Sequence, residues 1–141
     1  MPPPIIVDTN VVVAGLLTAR ADSPVARIAD GMLDASFPFA ISDALLAEYR
    51  IVLRGPSLRK AHGLTQVEID RFLVDIVQHG IVITPVPTVS AAEPGDQHLW
   101  EMLAAHEELL LVTGDNKLQR DRAMGSRVIT PAAFVERWLS P

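Results

Sequence analysis

Apolar residues fall along this chain in two alternating rhythms. Short unbroken runs, "PIIVD", "FPFAIS", "IVITPV", "LLLVT" and "RVIT", are the pattern of strands buried on both faces, as in a parallel sheet covered by helices. Between them lie stretches whose apolar positions are three and four apart. Val25, Ile28, Ala29, Met32 and Leu33 make one such stripe, opened by Ser23 as N-cap and Pro24 at the first helical position. Ser42 is placed to cap a second helix through "DALLAEYRIVLR", which Gly55 and Pro56 end. Thr65 and Glu68 form a capping-box signature ahead of Ile69, Phe72, Leu73 and Ile76, with Gly80 as the stop. "NVVVAGLLTA" fits helix or strand by periodicity, and its tight continuation past Asp8 favours a helix. Asp96 stands as N-cap of "QHLWEMLAAHEE", while Thr130 and Pro131 open a closing helix, "PAAFVERWLS". Prolines and small residues make "PTVSAAEPG" the segment expected to be most flexible.

Strands alternating with helices predict an α/β fold, with a central, mainly parallel sheet of about five strands between helices. No repeat, low-complexity tract or linker divides the sequence, so residues 1–141 read as a single domain, large enough to bury a full core. No apolar run approaches the roughly 20 residues that span a bilayer, and no basic segment precedes the first apolar stretch. A cytoplasmic protein with no membrane attachment is the expectation. The absence of cysteine excludes disulfides, thiolate metal sites and a cysteine nucleophile together.

A formal charge of −5 argues against nucleic-acid binding by bulk electrostatics. That argument weakens if part of the acidity is gathered at one site, because removing four acids from the count leaves a nearly neutral surface on which local basic patches prevail. The strand pattern says where to look, since the functional crevice of an open parallel sheet lies outside the carboxyl ends of its strands. Asp8 follows the first strand. Ser42 and Asp43 follow the second, with Glu48 about two turns into the helix. Asp96 opens the helix before the strand that delivers Asp115. Four carboxylates from distant segments can thus meet at one sheet edge, where without cations they would repel by several kcal/mol. Oxygen-only donors suit Mg²⁺ or Mn²⁺ and favour phosphoryl chemistry. Thr9, Asn10, Ser42, Thr113 and Asn116 stand beside the acids as residues able to orient them by hydrogen bonding.

"IIVDTNVVVAGLL", "ISDALLAEYRIVL", "EPGDQHLWEMLAAHEELLLVTGDNKL" and "RVITPAAFV" resemble, in order, the motifs of PIN domains, and are most similar to the VapC-like toxins of bacterial toxin–antitoxin systems. The resemblance covers almost the whole chain. It implies a three-layer α/β/α PIN-like fold and a Mg²⁺- or Mn²⁺-dependent ribonuclease that attacks RNA in line with water and leaves a 5′-phosphate. It also implies a small antitoxin protein as partner, covering or entering the acidic groove. Asp8, Glu48, Asp96 and Asp115 match the family's metal-binding acids, and Asn10 and Thr113 match its accompanying polar residues. Two departures stand out. Relatives often carry a run of Asp at the third acid, where this chain has "EPGDQ" with Glu93 as a weaker helper, and Asn116 replaces a further acid found in some relatives. Both weaken the expectation of a second ion.

Relatives are often homodimers, and helices 24–34 and 66–79 are candidate pairing faces. Arg50, Arg54, Arg59 and Lys60 form one basic stretch and Lys117, Arg120 and Arg122 another, each read either as solvated surface or as a contact to the phosphate backbone. Arg50, Arg54, Lys117 and Arg120 are the candidates for that contact. His98 and His106 read as surface residues, and Trp100 and Trp138 as packing residues. Two other functions compete. A phosphatase with an Asp nucleophile would use "VDTNV", which is similar to the haloacid dehalogenase-like DxDx[TV] signature, but Asn10 stands in place of its second Asp. A degenerate PIN module would bind RNA or a partner without cutting.

Overall fold

The computed structural model describes residues 2–56, 60–61 and 63–139. Five short strands form the centre: β1 (Ile5–Val7), β2 (Ala40–Ile41), β3 (Ile81–Val82), β4 (Leu110–Val112) and β5 (Val128–Ile129). Every pairing is parallel. β4 lies between β1 and β5, with Ile5 opposite Leu110 and Leu111 opposite Val128, while β2 pairs with β3. A single parallel bridge between Ile5 and Phe39, with the Ile5 amide donating to the Pro38 carbonyl at 3.2 Å, joins the two groups of strands. The spatial order is therefore 3-2-1-4-5, and its direction reverses between β1 and β4.

Around the strands lie α1 (Thr9–Leu17), α2 (Pro24–Leu33), α3 (Asp43–Arg54), α4 (Gln66–His79), α5 (Gln97–Ala105), α6 (Asn116–Gln119) and α7 (Pro131–Phe134). The result is the three-layer α/β/α arrangement expected of this sequence. Caps set the helix starts. The hydroxyls of Ser23, Ser42 and Thr130 accept from the amides of Ala26, Leu45 and Ala133, and Thr65 with Glu68 forms a complete capping box. The segment after Asp8 is helix, as its tight continuation suggested.

The strands are shorter than the apolar runs that predict them. "IVITPV" pairs only at Ile81 and Val82, with one further bond from the Ile83 amide to the Ile41 carbonyl at 2.9 Å. Pro85 and Pro87 carry no amide hydrogen to extend the ladder. α5 ends at Ala105 rather than Glu108, since His106 turns to extended backbone and Arg127 takes the carbonyls of His106 and Leu109. The closing helix is α-helical only to Phe134 and continues as a π turn, Val135–Leu139. "PTVSAAEPG" is tied down on one side, because the Gln97 side chain accepts from the Ala91 amide at 2.6 Å and donates to the Val89 carbonyl at 3.1 Å.

Ile5, Ile6, Leu111 and Val112 are fully buried at the centre, and Phe39, Ile41, Leu45, Tyr49, Ile28, Met32 and Phe134 are among the residues completing the core. Trp100 is fully buried, and Trp138 packs at the rim with its ring centroid 5.3 Å from that of Phe134. At Gly15, α1 and α2 come so close that an added Cβ would stand 2.5 Å from the Val25 carbonyl oxygen. Among the described residues no helix is long and apolar enough to cross a membrane.

Candidate active site

The reversal of strand order between β1 and β4 opens the sheet edge where ligands bind in folds of this kind. Both strands end there in polar residues. Asp8 caps α1, its Oδ1 accepting from the Thr9 amide at 2.8 Å. Its Oδ2 accepts from the Thr113 hydroxyl at 2.7 Å and from the Asn10 side-chain amide at 3.3 Å. The Thr113 oxygen in turn accepts from Asn10 at 3.3 Å and from the Asp115 amide at 3.1 Å, while the Asn10 carbonyl takes the Gly114 amide at 3.4 Å. This lattice sews the end of β1 to the end of β4. Its centre is nearly closed to solvent, with Asp8 7% and Thr113 0% exposed, while Asn10 and Gly114 lie at the surface.

Glu48 arrives from α3. Its Oε1 accepts from the Thr9 hydroxyl, and its Oε2 lies 3.2 Å from His98 Nε2. Asp96 ends the short 3₁₀ turn Pro94–Asp96 and is followed at once by α5. The sequence suggested that its side chain caps that helix, but the backbone is already helical at Asp96 and no cap bond forms. Its carboxylate is left to the cavity. Asp115 caps α6 through the Lys117 amide at 2.9 Å. Asp8, Glu48, Asp96 and Asp115 all line one open cavity of about 480 Å³, with Thr9, Asn10, Val13, Ala14, Leu17 and Val52.

Electrostatics follow from this crowding. Burial pushes the Asp8 carboxyl above its ordinary 3.8, and the charges of Glu48 and Asp96 add to that, against the lowering effect of the bonds from Thr113 and Thr9. Asp96 is likewise raised, first by burial and then by Asp115 and Glu48, with His98 opposing and Glu93 adding a smaller push. Beneath them Tyr49, whose hydroxyl donates to the Val7 carbonyl, is held well above its usual range by burial and by the Asp8 and Glu48 charges. Among the described residues no three acidic or histidine side chains close into a ready-made metal cage. The acids instead ring an open cavity. Hard oxygen donors that repel one another around open space fit a Mg²⁺ or Mn²⁺ ion that keeps several of its waters.

Not every residue singled out in the sequence reaches this cavity. The Ser42 hydroxyl caps α3 and donates to the Met102 sulfur at 3.4 Å, so it is buried away from the acids. Asn116 and Lys117 on α6 and Arg120 at its end are exposed, just beyond Asp115 and outside the cavity lining. Arg50 projects from the other side of α3, into a groove with Leu46, Ala47, Leu73, Val74 and Val77. Arg54 pairs with Asp70 of α4 at 2.6 Å. Arg59 lies outside the described residues. His106 is exposed, whereas His98, expected at the surface, has a side chain only 18% exposed and faces Glu48. Its place in the first turn of the helix that follows Asp96 was the available signal.

An α/β/α sandwich with a cavity at the reversal of a parallel sheet belongs to the doubly wound class of folds, whose ligands bind at that point. The PIN domain model matches residues 4–117, and the chain belongs to the PIN-domain family. PIN domains are generally metal-dependent nucleases, and the matched span holds all four acids of the cavity. No curated protein matches the chain.

Proposed function

We propose that this protein is an endoribonuclease dependent on Mg²⁺ or Mn²⁺ and acts as the toxin of a type II toxin–antitoxin system. The observation that carries this reading is the common cavity of Asp8, Glu48, Asp96 and Asp115 at the β1/β4 reversal. These four carboxylates are the proposed holders of the cation, which when bound would acidify water and neutralise charge on a phosphodiester. The chain's own contribution is positional. Thr113 and Asn10 fix the direction of Asp8, Thr9 ties Asp8 to Glu48, and Asp96, free of any helix cap, is available to a ligand. Water attacks phosphorus in line with the 3′-oxygen. That oxygen departs and takes up a proton, giving a 5′-phosphate and a 3′-hydroxyl.

Lys117 and Arg120, exposed beside Asp115, are the proposed contacts to the RNA backbone. Arg50 and Arg54 are not carried into this role, being turned to the groove and to Asp70. An Asp-nucleophile phosphatase is disfavoured because Asn10 stands where its second Asp is required. A binding module that does not cut draws support from the single Asp of "EPGDQ".

The test is incubation of a mixed-sequence RNA with the purified protein in Mn²⁺, in Mg²⁺ and in EDTA, beside Asp8→Asn. Metal-dependent cutting lost in the variant supports the nuclease. A folded protein that neither cuts nor binds Mn²⁺ moves the assignment to the binding module. Growth arrest on induced expression in a bacterium, relieved by Asp8→Asn and by co-expression of the product of a neighbouring gene, tests the toxin and its antitoxin.

A further inference from the structure

We propose that His98 is a positioning residue that, together with Thr9, fixes the carboxylate of Glu48 at the edge of the acidic cavity. The proposal rests on the nuclease reading above and assigns a role to a side chain outside the cavity lining.

Glu48 reaches the cavity on a flexible side chain, and its two oxygens are held from opposite sides. The Thr9 hydroxyl donates to Oε1, and His98 Nε2 stands 3.2 Å from Oε2. A carboxylate is acceptor-only, so the histidine must present a proton on Nε2. The rest of the ring agrees with that assignment. Nδ1 is buried without a hydrogen-bond partner, which leaves only a lone pair unmet in the Nε2-protonated tautomer. The other tautomer would bury an unmet N–H and set a lone pair against the carboxylate. Glu48 is the sole hydrogen-bond partner of this ring among the described residues, and the following Leu99 and Trp100 are locked in the core. A rigid donor therefore holds a flexible acceptor. Each oxygen of Glu48 keeps a second lone pair for a ligand, as in the outer partners that orient metal-binding carboxylates.

The experiment compares His98→Phe, which keeps the ring shape without a donor, and His98→Gln, whose amide N–H can take the place of Nε2. In the metal-free protein, ¹⁵N NMR should find the His98 proton on Nε2, and Glu48→Ala should release that preference. Calorimetry should show Mn²⁺ binding about 10-fold or more weaker in His98→Phe. His98→Gln should recover most of that loss, and His98→Phe should add nothing once Glu48 is Ala. RNA cleavage should lose kcat with KM unchanged, while the thermal midpoint of His98→Phe stays at or above that of the parent. A proton resident on Nδ1, parental Mn²⁺ affinity in His98→Phe, or independent addition of the His98 and Glu48 effects would each overturn the proposal. A parent protein that keeps the Nε2 tautomer but neither binds Mn²⁺ nor cuts RNA would sink the nuclease reading while the anchoring of Glu48 stands.

Discussion

Replacing Asp96 by asparagine should make the metal-free protein more stable, which is the reverse of what a change at a structural cap would do. Its carboxylate accepts no cap bond, so the substitution removes charge without breaking the helix start. The ionised form is disfavoured in the fold by burial and by Asp115 and Glu48, and carries no such cost in the unfolded chain. Two like charges 4 Å apart repel by about 4 kcal/mol at an effective dielectric of 20 and by about 1 kcal/mol in water. Asp96 is partly exposed on an open cavity, so the lower figure applies, and the expected gain is about 1 kcal/mol. For 141 residues the unfolding entropy is roughly 0.3 kcal/mol/K, which turns that gain into about 3 °C in Tm. The sign with pH follows from the raised pKa. The folded state binds this proton more tightly than the unfolded chain, so the parent loses stability as pH rises from 3.8 through the raised value, and carries the whole penalty above it. The advantage of the variant should vanish below pH 3.8. Mn²⁺ should invert the ranking, because a cation at 100 times its Kd stabilises the parent by about 2.7 kcal/mol, roughly 9 °C here, and the variant by much less. Scanning calorimetry at pH 7 and at pH 3.5 in EDTA, and at pH 7 in Mn²⁺, reads all of this. A variant less stable than its parent in EDTA at pH 7, or equal stabilisation of both by Mn²⁺, would refute the reasoning.

Other substitutions test separate parts of the fold. Ser42→Ala should cost about 1 kcal/mol in urea unfolding through the lost cap of α3, with Mn²⁺ affinity unchanged, since Ser42 does not line the cavity. Gly15→Ala should cost about 1–3 kcal/mol by the same measurement, because its methyl group would press on the Val25 carbonyl and part α1 from α2. Tyr49→Phe should cost about 1 kcal/mol in urea unfolding by leaving the buried Val7 carbonyl one donor short, and the slope m should stay unchanged if only that bond is lost.

The helices were readable because their signals are local. Ser23 with Pro24, and Thr65 with Glu68, announce helix starts within a few residues, and the structure uses each as read. The acids were readable because strand ends carry them: Asp8 and Asp115 needed only the rule that parallel sheets bind at their carboxyl edges. What failed were the directions of side chains on helices. Arg50 lies two residues from Glu48, about 200° around α3, so a basic residue close in sequence to an acid was bound to face elsewhere. Glu48 and Val52, four apart, share the cavity face, while Leu46, Ala47 and Arg50 share the groove. His98 was missed for the same reason, because its partner, Glu48, sits on another helix, α3. Asp96 holds the N-cap position as read but makes no side-chain cap bond, because a 3₁₀ turn, Pro94–Asp96, runs into α5 and leaves its backbone already helical.

The strand order has a consequence for how the protein comes into being. β4 is inserted between β1 and β5, so the cavity cannot be complete until the chain has been made through β4 to Asp115. A nascent chain that has reached Ala105 carries Asp8, Glu48 and Asp96 but lacks Thr113, the joint that orients Asp8, and Asp115 on the opposite wall. Every shorter fragment is in the same condition. The lattice around Asp8 is thus completed only when the segment after Ala105 has been made and β4 has paired beside β1.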